Sequence, residues 1–185
     1  MKEVVLNKKY LFVGATGTGK TTLALLMVAK SKKRLILVDV VNNPAYRNLP
    51  LVALNDIATY SQTKSFRIIT AEPEKALELL DKYHANAFII CEDCGSYMLP
   101  NLCNEVTRFL KYHRHRNFDL IMMFHNYIEV PPGVCRMWDF LIVLKTQLPK
   151  QQLYKFSNWD TIVNALEIVN KNKSYNHYLI IPNGK

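Results

Sequence analysis

The chain has 185 residues and only four cysteines, which excludes a disulfide scaffold. The longest strictly apolar run is Leu23 to Ala29, far short of the ~20 residues that a bilayer span needs. Met1-Lys2-Glu3-Val4 carries charge and no apolar h-region, so no secretory signal is expected. Together these absences give the expectation of a reduced, cytoplasmic setting without a membrane span. There is no internal repeat and no low-complexity tract. Acidic residues are also few: 15 against 24 lysines and arginines, a formal net charge of +9. A basic excess of this size suits nucleic acid or another polyanion, or simply a soluble basic surface. What is abundant is apolar: hydrophobic residues are 49% of the chain and charged residues 21%, which excludes intrinsic disorder as the main state.

The apolar residues fall in short runs separated by helical patterns. Strands are expected at 10–13, 34–39, 66–70, 88–91, 120–124 and 140–144. Helices are expected at about 20–31, at 74–83 behind Pro73, and at about 101–115, with an irregular stretch over 45–64. Strands apolar on both faces that alternate with helices predict an α/β fold with a mainly parallel sheet covered on both sides. After Leu144 the style changes: 147–152 is polar, 159–169 has helical periodicity, and 178–181 suits a last strand. The reading is one domain, with a core over 1–146 and a C-terminal extension over 147–185 packed on it.

Between the first strand and the first helix stands Gly14-Ala15-Thr16-Gly17-Thr18-Gly19-Lys20-Thr21, followed by Thr22. This is G-x-x-x-x-G-K-[ST] in the strand–loop–helix context that the phosphate-binding motif requires. Glycines let backbone N–H groups turn toward phosphate oxygens, and the helix N-terminus adds partial positive charge. Lys20 is expected on the β- and γ-phosphates of ATP and Thr21 on Mg²⁺. A dinucleotide-type G-x-G-x-x-G fails, because Thr16 and Thr22 stand where glycines belong.

The run Phe88-Ile-Ile-Cys-Glu92-Asp93 ends a strand in two acids. Glu92 is expected to govern Mg²⁺ and Asp93 to polarise the attacking water, with the reverse order open. Two acids suit a hydrolase better than a kinase. A lid of several arginines, which a kinase needs, is missing from Lys145–Lys155, where three lysines and no arginine stand. The fifth strand ends in His125-Asn126; either side chain can sense the γ-phosphate, and Asn126 is expected to do so. Arg108, Lys111, His113, Arg114, His115 and Arg116 form a basic cluster with three readings: a solvated face, an arginine finger (Arg114 or Arg116) offered to a neighbouring subunit, or a DNA contact. Cys91 and Cys94 form a CxxC without two further ligands at suitable spacing, and Cys91 reads as core.

On Gly14 to Thr21, the strand ending in Asp39, Phe88 to Asp93, and above all Arg108 to Thr146, the chain resembles the FtsK/HerA superfamily of DNA-translocating P-loop ATPases. Within that superfamily it is similar to the genome-packaging ATPases of membrane-containing, double-jelly-roll viruses. Zonular-occludens-toxin-like phage assembly ATPases are related. The segment Tyr112 to Asn126, then Val130-Pro-Pro-Gly and Arg136-Met-Trp-Asp139, follows the relatives' pattern, and the likeness covers residues 8–146. It departs from them in the order Glu92-Asp93, in His125 or Asn126 where many members carry Gln, and in Asn117 where Gly is usual. The resemblance implies a RecA-like core, a hexameric or pentameric ring, active sites at subunit boundaries and sequence-independent double-stranded DNA through the centre. A virion-associated location and contact with capsid vertex proteins belong to the same implication. Phage assembly without DNA movement is the alternative.

Overall fold

The computed structural model describes residues 7–147 and 155–183. Six parallel strands and one antiparallel strand form a single sheet in the order β3-β2-β4-β5-β1-β6-β7. The strands are β1 (Lys9–Val13), β2 (Arg34–Asp39), β3 (Phe66–Ile69), β4 (Ala87–Cys91), β5 (Phe118–Phe124), β6 (Phe140–Leu144) and β7 (Tyr178–Pro182). β4 and β5 are buried at every residue, as interior parallel strands must be when both faces are covered. β7 alone runs antiparallel, pairing Ile142 with Ile180 along β6.

Alternation along each strand splits the core in two. Leu11, Val13, Ile36, Val38, Ile89, Leu120 and Met122 face one side. There they meet α2 (Pro73–Tyr83), α3 (Asn104–Tyr112) and α4 (Trp159–Lys171) through Leu77, Phe109 and Leu166. Phe12, Leu37, Ile90, Ile121, Met123 and Ile142 face the other side, covered by α1 (Lys20–Ser31) and the buried Tyr46. The α/β expectation, with helices on both faces of a mainly parallel sheet, therefore holds.

The strands and α1, α2 and α4 lie where the apolar runs predict them. The third helix is shorter than expected: α3 starts at Asn104 and ends at Tyr112, and His113–Arg116 tightens into a 3₁₀ turn. The tightening follows from burial of His113, whose ring Nδ1 lies 3.2 Å from the Leu110 carbonyl. Asn117, in the left-handed region at φ 55°, then turns the chain into β5. One 3₁₀ turn, Pro44–Tyr46, opens the irregular stretch 45–64, and a second, Leu54–Asp56, lies within it. The expectations for Met1–Val4 and for most of 147–152 lie outside the described residues.

A candidate nucleotide site at the carboxyl edge of the sheet

Because β1 lies between β5 and β6, the loop that leaves it emerges between those two strands at the carboxyl edge, where open α/β sheets place their ligands. Both neighbours hold the loop. The Gly14 N–H donates to the Phe124 carbonyl at 3.2 Å, and the Ala15 N–H to the Lys145 carbonyl at 2.8 Å. A Cβ on residue 14 would lie 2.5 Å from Leu144 Cβ, so the approach of β6 needs glycine there. Thr18 donates its hydroxyl to the Ala15 carbonyl at 2.8 Å and closes the loop on itself. Gly19, at φ +89°, caps α1 without a side-chain bond, which leaves the first helical N–H groups facing the loop.

Lys20 turns back into this loop. Its Nζ donates to the Gly14 carbonyl at 2.5 Å and to the Ala15 carbonyl at 3.1 Å. The residue is 8% exposed, and burial pulls the ammonium below its usual range, against the opposing pull of Glu92, Glu129 and Asp93. Thr16, Gly17, Thr21 and Thr22 line a cavity of about 360 Å³ with Lys20, a size within the range of small-molecule sites.

The two acids at the end of β4 diverge. Glu92 continues the ladder through its N–H to the Val38 carbonyl at 3.0 Å, and its side chain is buried. Its Oε1 accepts from the Thr21 hydroxyl at 3.1 Å and from the Tyr46 hydroxyl at 2.5 Å. Asp93 sits at φ 46°, in the left-handed region that aspartate and asparagine enter more readily than other non-glycine residues. Its Oδ1 lies 3.2 Å from His125 Nε2, and His125 Nδ1 lies 3.4 Å from the Thr16 hydroxyl. Glu92 thus faces Thr21, and Asp93 faces His125 and Thr16.

A magnesium ion bound with a nucleotide takes oxygen ligands, keeps water and uses one or two carboxylates. The Thr21 hydroxyl and Glu92 carboxylate, side by side beneath the loop, fit that donor set. Among the described residues no group of three or more His, Cys, Asp or Glu side chains could hold a metal by itself. Cys91 and Cys94 are buried, with the Cys94 thiol on the Cys91 carbonyl at 3.2 Å.

Burial raises the Glu92 carboxyl above its ordinary 4.5, while the two hydroxyls draw it down. A carboxyl raised in the folded state binds its proton more tightly there than in the unfolded chain. Stability therefore falls as pH rises from about 4.5 through the raised value, and the full cost persists above it. Glutamine keeps an acceptor for both hydroxyls and carries no charge. Thermal unfolding of Glu92→Gln is expected at or above the parent's temperature near neutral pH, with the gap closing toward pH 4.5. A variant that melts below the parent at neutral pH would contradict this account of Glu92.

The remaining candidates lie apart. Asn126 does not reach the loop: its amide donates to Glu129 and its Oδ1 accepts the Glu129 N–H at 3.1 Å. Glu129 also accepts the His125 N–H at 3.1 Å, so it holds the turn that presents His125. Arg114 pairs with Asp139 at 3.1 Å and Arg116 donates to the Lys82 carbonyl at 3.4 Å. Both stand before β5, at the opposite end of the strands from the loop. Arg108 pairs with Asp81 at 3.3 Å beside a hollow of about 620 Å³ that Tyr112, His115 and Arg116 also line. Tyr46 and Glu129 were not singled out by the sequence reading. The pattern Asn126-Tyr-Ile-Glu129 is the signal that points to Glu129, since N-x-x-E marks a reciprocal capping turn.

No protein-family model matches the chain, and no curated protein matches it. Solved structures do. The genome packaging NTPase B204 from Sulfolobus turreted icosahedral virus 2, in complex with sulfate, superposes with a TM-score of 0.77 at 20% identity, over 96% of this chain and 92% of that one. The same NTPase in complex with ATP-gammaS gives 0.74 at 22% identity, over 96% and 93%. The N-terminal domain of zonular occludens toxin from Neisseria meningitidis gives 0.51 at 12% identity, over 77% and 78%. These are the two groups that the sequence resembles. The chain has the α/β fold of the P-loop NTPases, in the form taken by a viral genome packaging NTPase and by the toxin's N-terminal domain.

Proposed function

We propose that the chain is an ATP-hydrolysing motor that moves double-stranded DNA, of the viral genome-packaging kind. The observation that carries this reading is the convergence of Lys20, Thr21, Glu92, Asp93 and His125 on one cavity at the end of β1. A triphosphate seated on the loop has its β- and γ-phosphates against Lys20, with the Gly14–Thr22 backbone around them. Thr21 and Glu92 would hold a Mg²⁺ ion that accompanies the nucleotide, directly or through water, and the ion would supply neutralisation of the charge that grows on the phosphate oxygens. Asp93 accepts the proton of the water that attacks the γ-phosphorus, as the bond from that phosphorus to the β–γ bridging oxygen breaks and ADP leaves. His125 couples Asp93 to Thr16 across the loop and so senses whether the γ-phosphate is present. Glu129, with Asn126, keeps His125 in that position.

Arg114 and Arg116, remote from their own loop, act as fingers only across a subunit boundary, as in the hexameric or pentameric ring that the resemblance implies. The charge of +9 supports a phosphate-backbone grip without sequence preference. In this reading residues 1–146 form the ATPase core, and 147–185 extend the same domain, free to contact a capsid vertex. The test is ATP hydrolysis by the purified chain with duplex DNA titrated in. The motor reading expects stimulation, and a rate indifferent to DNA favours the assembly ATPase.

A further inference from the structure

The segment between α4 and β7 comes back over the phosphate loop, and nothing in the proposed chemistry uses it. The Tyr175 hydroxyl donates to the Thr16 carbonyl at 3.4 Å. A Cβ on Gly17 would lie 3.7 Å from the Tyr175 ring, and one on Gly19 would lie 3.2 Å from Asn176 Oδ1. Lys145 braces the segment: its Nζ lies 5.6 Å from the Tyr175 ring centroid and donates to the Asn172 carbonyl at 2.5 Å. Tyr175 is nevertheless 53% exposed, and the Asn176 amide has no hydrogen-bond partner among the described residues.

The direction of a bound nucleotide follows from the sheet order. The acids and His125 stand on β4 and β5, on one side of β1, and fix the γ-phosphate end there. The base must leave on the other side, toward β6 and β7, where Tyr175 and Asn176 flank the glycines. We infer that Tyr175 and Asn176 form the base subsite of the nucleotide site, Tyr175 stacking on a purine and Asn176 reading its edge as adenine. An aromatic ring braced by a cation gives a flat platform that tolerates any base. Selection falls to Asn176. An amide pairs with the N6 donor and N7 acceptor of adenine together, whereas guanine presents two acceptors on that edge.

This inference rests on the reading of the loop as a nucleotide site, and the test separates the two. Binding of ATP, GTP and inorganic tripolyphosphate is measured for the parent, Tyr175→Ala, Tyr175→Phe and Asn176→Ala. Tyr175→Ala is expected to weaken ATP roughly 5- to 100-fold and to leave tripolyphosphate unchanged. Tyr175→Phe keeps the ring and is expected within about twofold of the parent. Asn176→Ala is expected to lose the preference for ATP over GTP. The base subsite is overturned if Tyr175→Ala binds ATP like the parent, or if it weakens ATP and tripolyphosphate equally, as a mere prop of the loop would. A parent that binds tripolyphosphate as tightly as ATP also overturns the subsite alone. A parent that binds none of the three overturns the nucleotide reading itself, and the subsite with it.

Discussion

Replacing Lys20 by alanine is expected to lower ATP hydrolysis by at least about 10²- to 10³-fold, the usual cost of removing one preorganised donor from a charged transition state. Lys20 is a buried cation that the loop already holds by two of its own carbonyls. Three carboxylates, Glu92, Glu129 and Asp93, act on it. Without Lys20 those acids face the phosphates with one positive charge fewer between them, so binding of the triphosphate weakens together with the chemical step. Lys20→Arg is expected to fail as well, because a planar guanidinium does not enter a space shaped for an ammonium against Gly14. Steady-state hydrolysis with matched melting curves checks both variants; activity within tenfold of the parent in Lys20→Ala would count against the loop as the catalytic site.

Asp93→Asn is expected to reduce hydrolysis by about 10²- to 10⁴-fold, the range for loss of a general base. ATP binding should stay close to the parent's. Asparagine tolerates the left-handed backbone at least as well as aspartate, and it still offers an oxygen to His125 Nε2. The substitution therefore removes basicity and charge while keeping the geometry. A fall in turnover with unchanged affinity marks an interaction made in the transition state. The comparison with Glu92→Gln decides between the two acid orders that the sequence leaves open. Glu92 already holds two hydroxyl donors on one oxygen and is bound to the Thr21 side, whereas Asp93 has a single histidine contact. If Asp93→Asn turns over ATP at the parental rate, the water-activating role belongs to Glu92.

Most of the fold was legible because parallel interior strands are apolar throughout and short, so the runs ending at Val13, Asp39, Cys91 and Phe124 announce themselves. The phosphate loop was legible for a related reason. Its geometry is local, and each glycine, the lysine and the threonine act within one turn of one another. The rest of the site is assembled over long separations. Tyr46 reaches Glu92 from within an irregular stretch whose mixed composition carries no periodic signal; only the turn that Asn43 caps, with its Oδ1 accepting the Ala45 N–H at 3.0 Å, aims it inward. His125 and Asn126 are neighbours with similar chemistry, and a sequence cannot say which of two adjacent residues turns toward a loop. The decision falls to Glu129, which holds the Asn126 amide and leaves the imidazole to Asp93. The overlong third helix has the same origin: His113 is polar by residue type, but its burial tightens the chain before the helical pattern ends. Tyr175 and Asn176 come to the loop only because β7 turns back along β6, a pairing that no run of residues encodes.

The most direct test of the motor reading is hydrolysis of ATP by the purified protein with duplex DNA titrated in, repeated as salt is raised, with Lys20→Ala as the blank. A DNA-stimulated rate that is insensitive to base sequence is expected. The stimulation should decline steeply with salt, because each phosphate contact is lost to competing counterions. Hydrolysis that is abolished in Lys20→Ala but stays constant from no DNA to saturating DNA would contradict it.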